Sequence, residues 1–296
     1  MTSRPEPIIE LERVTYVRRP GEAPVLRELS LRVGAGEWVC IVGRNGSGKS
    51  TLLRLLNGLL PATSGRIRVD GLTLAPDTLW EVRERTGFLS SNPDHQLLGF
   101  TVADDIMFGL ENRGLPRETI RERVRRYAER LGLEPLLNRH PDQLSGGQKQ
   151  RAAIAAVLAL EPRIVLLDEV TSYLDEASRR EVLGILREMK DSGRYTIVSA
   201  THDEEEMRLA DRLLVLDGGT VIADGAPRDI LRRDDLLKAG GMRPTFALQV
   251  CRELRKRGVD IGDHPDEEGL VEALWRYKWS TSTSAILTGS RANPAD

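Results

Sequence analysis

Residues 38–60 read WVCIVGRNGSGKSTLLRLLNGLL, and the fold follows from this stretch. Trp38–Val42 is an apolar run without a polar break, the mark of a strand covered on both faces. A glycine-rich turn follows, and the pattern after it predicts a helix over Lys49–Leu60. Gly43-Arg44-Asn45-Gly46-Ser47-Gly48-Lys49-Ser50 fits GxxxxGK[ST] in the strand–turn–helix setting this pattern requires. Its glycines let successive backbone N–H groups turn inward around a phosphate, at the positive end of a helix. Lys49 offers a point charge to β- and γ-phosphates and Ser50 a hydroxyl to Mg²⁺, with Thr51 next in the candidate nucleotide-binding set.

Outward from this unit, Ile164–Leu167 and Thr196–Ala200 are further short apolar runs, expected as buried strands. Gln148–Leu160 reads as a buried helix and Arg117–Leu131 as a charged, mostly exposed one. Buried strands alternating with helices predict an α/β fold with a mostly parallel sheet covered on both sides. Residues 8–17 and 25–33 alternate partly between apolar and polar, which predicts an antiparallel β annex. Leu213–Ala223 reads as a hairpin around Asp217-Gly218-Gly219. We expect one nucleotide-binding domain over 1–225, with a helical subdomain at about 90–160. Past Gly225 the composition shifts to short helices, at Pro227–Arg232, Thr245–Arg257 and Asp266–Trp279, expected as a small C-terminal dimerisation domain over 226–279. The Ser/Thr/Ala-rich tail, 280–296, is expected to be disordered.

Three further stretches carry chemistry. The strand at Ile164 ends in Asp168-Glu169, at the strand edge where open α/β sheets bind ligands. Asp168 there suits Mg²⁺ and Glu169 suits orienting or deprotonating an attacking water. Leu144-Ser145-Gly146-Gly147-Gln148-Lys149-Gln150-Arg151 opens the buried helix. Ser145 is a natural N-cap, and adjacent glycines bare N–H groups to an anion. A second phosphate-facing surface without its own lysine makes sense if it closes on another molecule's nucleotide.

Composition bounds the remainder. The 296 residues, 40% hydrophobic, support a large core, and the formal net charge of −2 argues against a general grip on nucleic acid. Cys40 and Cys251 lie outside any CxxC and read as buried thiols of a reducing compartment rather than a disulfide. The N-terminus lacks the apolar core of a secretion signal, and the longest apolar run, Ala152–Leu160, falls well short of the roughly 20 residues that span a bilayer. We therefore expect a soluble, cytoplasmic chain that something else must hold at any membrane.

LSGGQKQR resembles the signature of the ATP-binding-cassette (ABC) ATPases, which ordinary P-loop enzymes lack. The resemblance covers about residues 8–225 and implies ATP and Mg²⁺ as ligands, with a dimer that sandwiches two ATPs head to tail. Ser172-Tyr173-Leu174-Asp175 is similar to that family's dimer loop, with Ser172, Leu174 and Asp175 the matching positions. His202 matches its switch histidine, against a purely structural role, and Tyr16 stands where the family stacks an aromatic on adenine, against simple packing.

A narrower resemblance is to the ATPases of energy-coupling-factor (ECF) transporters. Asn92-Pro93-Asp94-His95-Gln96, Thr101-Val102-Ala103-Asp104-Asp105 and Phe108-Gly109-Leu110-Glu111-Asn112 carry it, with the segment FALQVCRELRKRGVDI from Phe246. It implies a peripheral subunit on the cytoplasmic face of the cell membrane. Its partners would be a second ATPase subunit, a copy or a paralogue, a transmembrane coupling protein and a substrate-binding membrane protein, for import of a vitamin or a transition-metal ion. Residues 91–96 would form the coupling loop. Relatives commonly carry glutamine directly before Asn-Pro-Asp, where it reaches Mg²⁺ and the attacking water; this chain has Ser91. The alternatives are the ATPase of another ABC importer, which the C-terminal segment disfavours, and an ABC ATPase acting on nucleic acid or ribosomes. A single cassette without a coiled-coil insertion argues against the latter, and Glu169 with His202 against a non-hydrolysing scaffold.

Overall fold

The computed structural model describes residues 7–172, 174–264 and 266–288, in two compact units, 1–227 and 228–296. The first unit has two sheets. One is antiparallel, ordered β2 (Leu26–Val33), β1 (Ile9–Tyr16), β4 (Ser64–Val69) and β5 (Leu72–Thr73). The other is ordered β10 (Thr220–Gly225), β9 (Arg212–Asp217), β3 (Trp38–Val42), β8 (Thr196–Ala200), β7 (Ile164–Asp168) and β6 (Thr86–Leu89). Every neighbouring pair in the second sheet is parallel except the β9–β10 hairpin. β3, β7 and β8 are buried along their whole length, as their unbroken apolar runs require.

The helix α1 (Lys49–Leu56) belongs to the core that joins the two sheets. Leu52, Leu53, Leu55 and Leu56 are fully buried with Leu11, Leu26 and Leu31 of the annex and with Val39, Ile41, Leu166 and Val198 of the central strands. Apolar burial is worth roughly 25 cal/mol per Å², so this shared core fastens the phosphate turn at the head of α1 to both sheets. The helix ends at Leu56, four residues short of the expected Leu60, because Gly58, just past the Asn57 C-cap, adopts φ 67° and closes it with a left-handed turn.

The helices α2 (Leu79–Arg85), α3 (Val102–Asn112), α4 (Arg117–Arg130) and α5 (Gly146–Ala159) follow, then α6 (Glu176–Asp191) and α7 (Glu204–Leu209). A capping box at Thr101 and Asp104 starts α3. α4, read as mostly exposed, buries Ile120, Val124, Tyr127 and Ala128 along one stripe.

The remaining helices are α8 (Pro227–Leu231), α9 (Asp234–Ala239), α10 (Phe246–Lys256) and α11 (Glu267–Thr288); a small core of Ala247, Cys251 and Leu270, with Val250 and Ile261 against it, joins α10 to α11. α11 runs on past Trp279, so residues 280–288 are helical where disorder was expected. No proline or glycine interrupts the sequence between Val271 and Thr288, and Ser and Thr lower helix propensity without stopping a helix. The expectations for Tyr173 and for 289–296 lie outside the described residues. Both cysteines are free and buried.

Candidate nucleotide site

Strand register sets the site's level. Ile41 of β3 and Asp168 of β7 both pair with Ala200 of β8, so three neighbouring strands end side by side. Adjacent strands lie about 4.8 Å apart, so the loops leaving them converge. From β3 comes the phosphate turn, from β7 Glu169, and from β8 His202. This is the carboxyl edge at which open α/β sheets bind ligands.

Gly48, at the N-cap of α1, has φ 108°, and a Cβ there would stand 2.6 Å from Leu26 Cδ2 and 3.3 Å from the Val25 carbonyl oxygen. Only glycine fits. The turn is thereby held against the β1–β2 annex, where Val25 N donates to the Tyr16 carbonyl at 2.8 Å. Tyr16, half-buried, packs on the core at this edge.

Lys49, only 5% exposed, donates through Nζ to the Gly43 carbonyl at 2.8 Å and lies 3.0 Å from His202 Nε2 and 3.6 Å from Glu169 Oε1. His202 Nε2 is also 3.3 Å from Glu169 Oε1. Burial pushes the Lys49 ammonium below its usual range, against the pull of Glu169. Burial, then Lys49, lowers the His202 imidazole. An anion entering the turn would reverse both penalties, because opposite charge favours the charged form.

Ser50 Oγ donates to Asp168 Oδ1 at 2.7 Å. Burial raises the Asp168 carboxyl while this hydrogen bond opposes the rise. A hydroxyl and a carboxylate in contact are a hard-oxygen pair suited to Mg²⁺. Ser47 Oγ is buried in the turn without a hydrogen-bond partner among the described residues, an orphan that a phosphate oxygen would satisfy. Arg44, Asn45 and Gly46 form the exposed rim, and Thr51 stands half-buried in the first turn of α1. Glu169 holds φ 54° with its N–H donating to Ala200 O at 2.8 Å, so a strained backbone aims its side chain over the site.

The signature residues are elsewhere. Ser145 and Gln148 form a capping box at the start of α5, and no described hydrogen bond or ion pair joins 145–148 to the phosphate turn. Gly147 is buried against α6; a Cβ there would come within 2.0 Å of Ser178 Oγ. Asp175 caps α6, accepting from Ser178 N at 2.9 Å and Ser178 Oγ at 3.0 Å, while Ser172 is exposed and Leu174 half-buried.

A cavity of about 700 Å³ separates residues 90–95 from the start of α5, lined among others by Arg54, Ser91, Asn92, Gly146, Lys149 and Leu174. Lys149 Nζ bridges to Asp94 at 2.6 Å. Asn92 caps the turn at Pro93–His95, accepting from Asp94 N at 3.0 Å. Gln96 is spent on backbone: its Oε1 accepts from Ser90 N at 3.0 Å and its Nε2 donates to Phe88 O at 2.9 Å. It holds the end of β6 and has no amide free for the cavity.

Sequence reasoning missed Arg54, Thr171, Arg179 and Glu206. Arg54 had a signal: it stands four residues after Ser50, hence one helical turn along the same face. The other three pair across the sequence, and nothing local marks them.

A phosphate turn, a hydroxyl–carboxylate pair, a glutamate and a histidine at one sheet edge define a P-loop ATPase. Residues 26–172 match the ABC transporter family. The energy-coupling factor transporter ATP-binding protein EcfA1 of Halalkalibacterium halodurans is 46% identical over 272 residues, 91% of this chain and 98% of that protein. The EcfA1 of Bacillus subtilis is 44% identical, over 90% and 96% of the two chains. Among solved structures, cbiO1 of Clostridium perfringens, part of the ABC transporter complex cbiONQ, superposes with a TM-score of 0.72 at 33% identity, over 86% of this chain and 98% of that one. A dimeric cassette bound to ADP and Pi after hydrolysis gives 0.68 at 31%, over 74% and 99%. The chain belongs to the ABC transporter family, among the ATP-binding, ATP-hydrolysing subunits of the energy-coupling-factor type.

Proposed function

We propose that two such subunits, copies or paralogues, sandwich two ATPs head to tail on the cytoplasmic face of the membrane, and that hydrolysis drives uptake of a vitamin or transition-metal ion through membrane partners. One observation carries this reading: Lys49, Ser50, Asp168, Glu169 and His202 converge, while no described hydrogen bond or ion pair joins the helix start bearing Ser145–Gln148 to them, as suits a surface that meets another chain's nucleotide. In each composite site Lys49 holds the β- and γ-phosphates, and Ser50 with Asp168 would hold Mg²⁺. Mg²⁺ would supply neutralisation of charge on the phosphate oxygens. Glu169 orients the attacking water and takes its proton, and His202 contacts the γ-phosphate. Tyr16 stacks on adenine at the annex edge.

The membrane contact falls beside the coupling loop. Leu98, Phe100 and Phe108 are 77%, 85% and 60% exposed, on and just before α3, an apolar group suited to helices of a membrane subunit. No described helix is long and apolar enough to cross a membrane, so these partners supply the passage and choose the substrate. In the second unit Phe246, Val271, Leu274 and Trp275 are exposed apolar residues on α10 and α11, which supports the dimerisation role of that domain. The test is isolation of the native complex and reconstitution in vesicles. ATP-dependent uptake with copurified membrane subunits is expected; recovery with nucleic acid or ribosomes and no membrane subunit would remove the transport reading.

Ser91 weakens the link between nucleotide and coupling loop. Its side chain is too short for the reach of glutamine, and Gln96 is committed to β6. Ser91 therefore acts through a bridging water, whose ordering costs up to about 2 kcal/mol. Ser91→Gln is expected to raise ATPase activity several-fold, by about threefold or more, with the larger gain in the assembled complex. If neither ATPase nor transport rate responds, while mutation of a paralogous subunit's glutamine abolishes transport, the coupling belongs to that subunit.

A further inference from the structure

We propose that Glu206 is a positioning residue for hydrolysis: a fully buried carboxyl group that fastens the loop between Glu169 and Asp175 to the strap carrying His202. The inference rests on the reading of Glu169 and His202 given above.

Glu206 has no solvent exposure, yet it lies on α7, a six-residue helix that begins just past His202. Thr171 Oγ1, also buried, donates to Glu206 Oε2 at 3.3 Å. Thr171 stands two residues after Glu169 and its carbonyl accepts from Leu174 N at 3.4 Å, so the bond grips the turn from which the dimer loop leaves. On the other side α7 is tied back to the strap: Asp203 Oδ1 accepts from Glu206 N at 2.9 Å, and Asp203 N donates to Thr201 Oγ1 at 3.0 Å. Asp203 Oδ2 then accepts from Arg179 Nη1 of α6 at 2.6 Å. Thr171, Glu206, Asp203 and Arg179 thus run from the loop after the glutamate, through the histidine strap, to the helix that Asp175 caps.

Burying a carboxyl costs several kcal/mol unless it is fully hydrogen-bonded, and here Oε1 has no partner among the described residues. Filling the space with a leucine would cost the fold less. A half-satisfied buried carboxyl between the two loops that bear the reacting groups is therefore explained by position, not by stability. The groups facing it are Thr171, Ser199, Thr201, Asp203 and, from β3, Cys40. Burial pushes the carboxyl up to about 7, so the protonated and ionised forms are both populated near neutrality, and either accepts the Thr171 hydroxyl.

The experiment compares ATP turnover of full-length Glu206→Leu, Glu206→Gln, Thr171→Val and the Glu206→Leu/Thr171→Val pair with the unmodified chain and with Glu169→Gln. Glu206→Leu is expected to lower kcat by about tenfold while KM for ATP stays within about twofold, the pattern of a lost transition-state interaction. Glu206→Gln, which keeps an acceptor for Thr171, should recover most of that loss. Thr171→Val should reproduce it, and the pair should lose no more than the worse single variant, since the two act through one bond. A folded Glu206→Leu with unchanged kcat overturns the proposal, as do additive losses in the pair. Should Glu206→Leu fail to fold, unchanged kcat in Thr171→Val overturns it equally. Failure here with Glu169→Gln inactive leaves the hydrolytic reading standing; an unmodified chain with no ATP turnover removes both.

Discussion

Glu169→Gln is expected to bind ATP as the unmodified chain does and to hydrolyse it about 10²–10⁴-fold more slowly, the range that a positioned proton acceptor contributes. The structure makes this substitution a clean one. Glu169 is placed by its backbone, through the N–H bond to Ala200 at 2.8 Å and a φ of 54°, and neither depends on the side chain's charge. Its Oε1 lies 3.6 Å from Lys49 Nζ and 3.3 Å from His202 Nε2, where an amide oxygen serves equally as acceptor. Only the capacity to take a proton is removed. Phosphate release at saturating ATP measures the rate and equilibrium titration the affinity. Near-normal turnover would take Glu169 out of its assigned role; lost affinity would mean that the carboxylate serves binding instead.

The sequence announced this edge because its parts are local. A phosphate turn needs glycines, a lysine and a hydroxyl in consecutive positions, and the strand and helix around it have different periods, so Trp38–Leu60 could be read alone. Asp168-Glu169 and His202 each follow an unbroken apolar run, which marks a strand end. The strands β4, β5 and β6 were not legible, since Ser64–Val69 opens on three exposed residues, Thr86–Leu89 is only half apolar and two residues of β5 carry no period, so none shows the unbroken apolar run that marks β3, β7 and β8. The helices α6 and α7 escaped for another reason: α7 is six residues long and opens on three glutamates, and α6 opens on Glu-Ala-Ser-Arg-Arg with its first buried residue only at Val182, so neither start shows an apolar period. Within E-E-E at 204–206 no rule says which glutamate is buried, and only the packing of α7 against Thr171 selects Glu206. Gln96 shows the limit from the opposite side. Its position groups it with the loop at 91–96, and nothing in its type shows that its amide is consumed by Phe88 and Ser90.

Lys49→Ala should act on binding instead of turnover. The lysine is deep in the turn, and its donors go to Gly43 O at 2.8 Å and toward His202 and Glu169. Phosphate oxygens would exchange these for charge-assisted hydrogen bonds, worth about 1.5–3 kcal/mol each. Bonds to both β- and γ-phosphates imply a loss of at least about 10²-fold in ATP affinity, since 1.4 kcal/mol is a factor of ten. Removal also leaves Glu169 and His202 without the ammonium that both approach, so the alanine variant perturbs these neighbours as well. Lys49→Met separates the two effects, because it keeps the buried stem and deletes only the charge. Equal weakening in both variants assigns the loss to the ammonium; a methionine variant that binds ATP normally would mean that the stem's packing, not the charge, shapes the turn. ADP gives an internal check. Lacking the γ-phosphate, it should lose less affinity than ATP in either variant. An equal loss for ADP and ATP would place the ammonium on the β-phosphate alone.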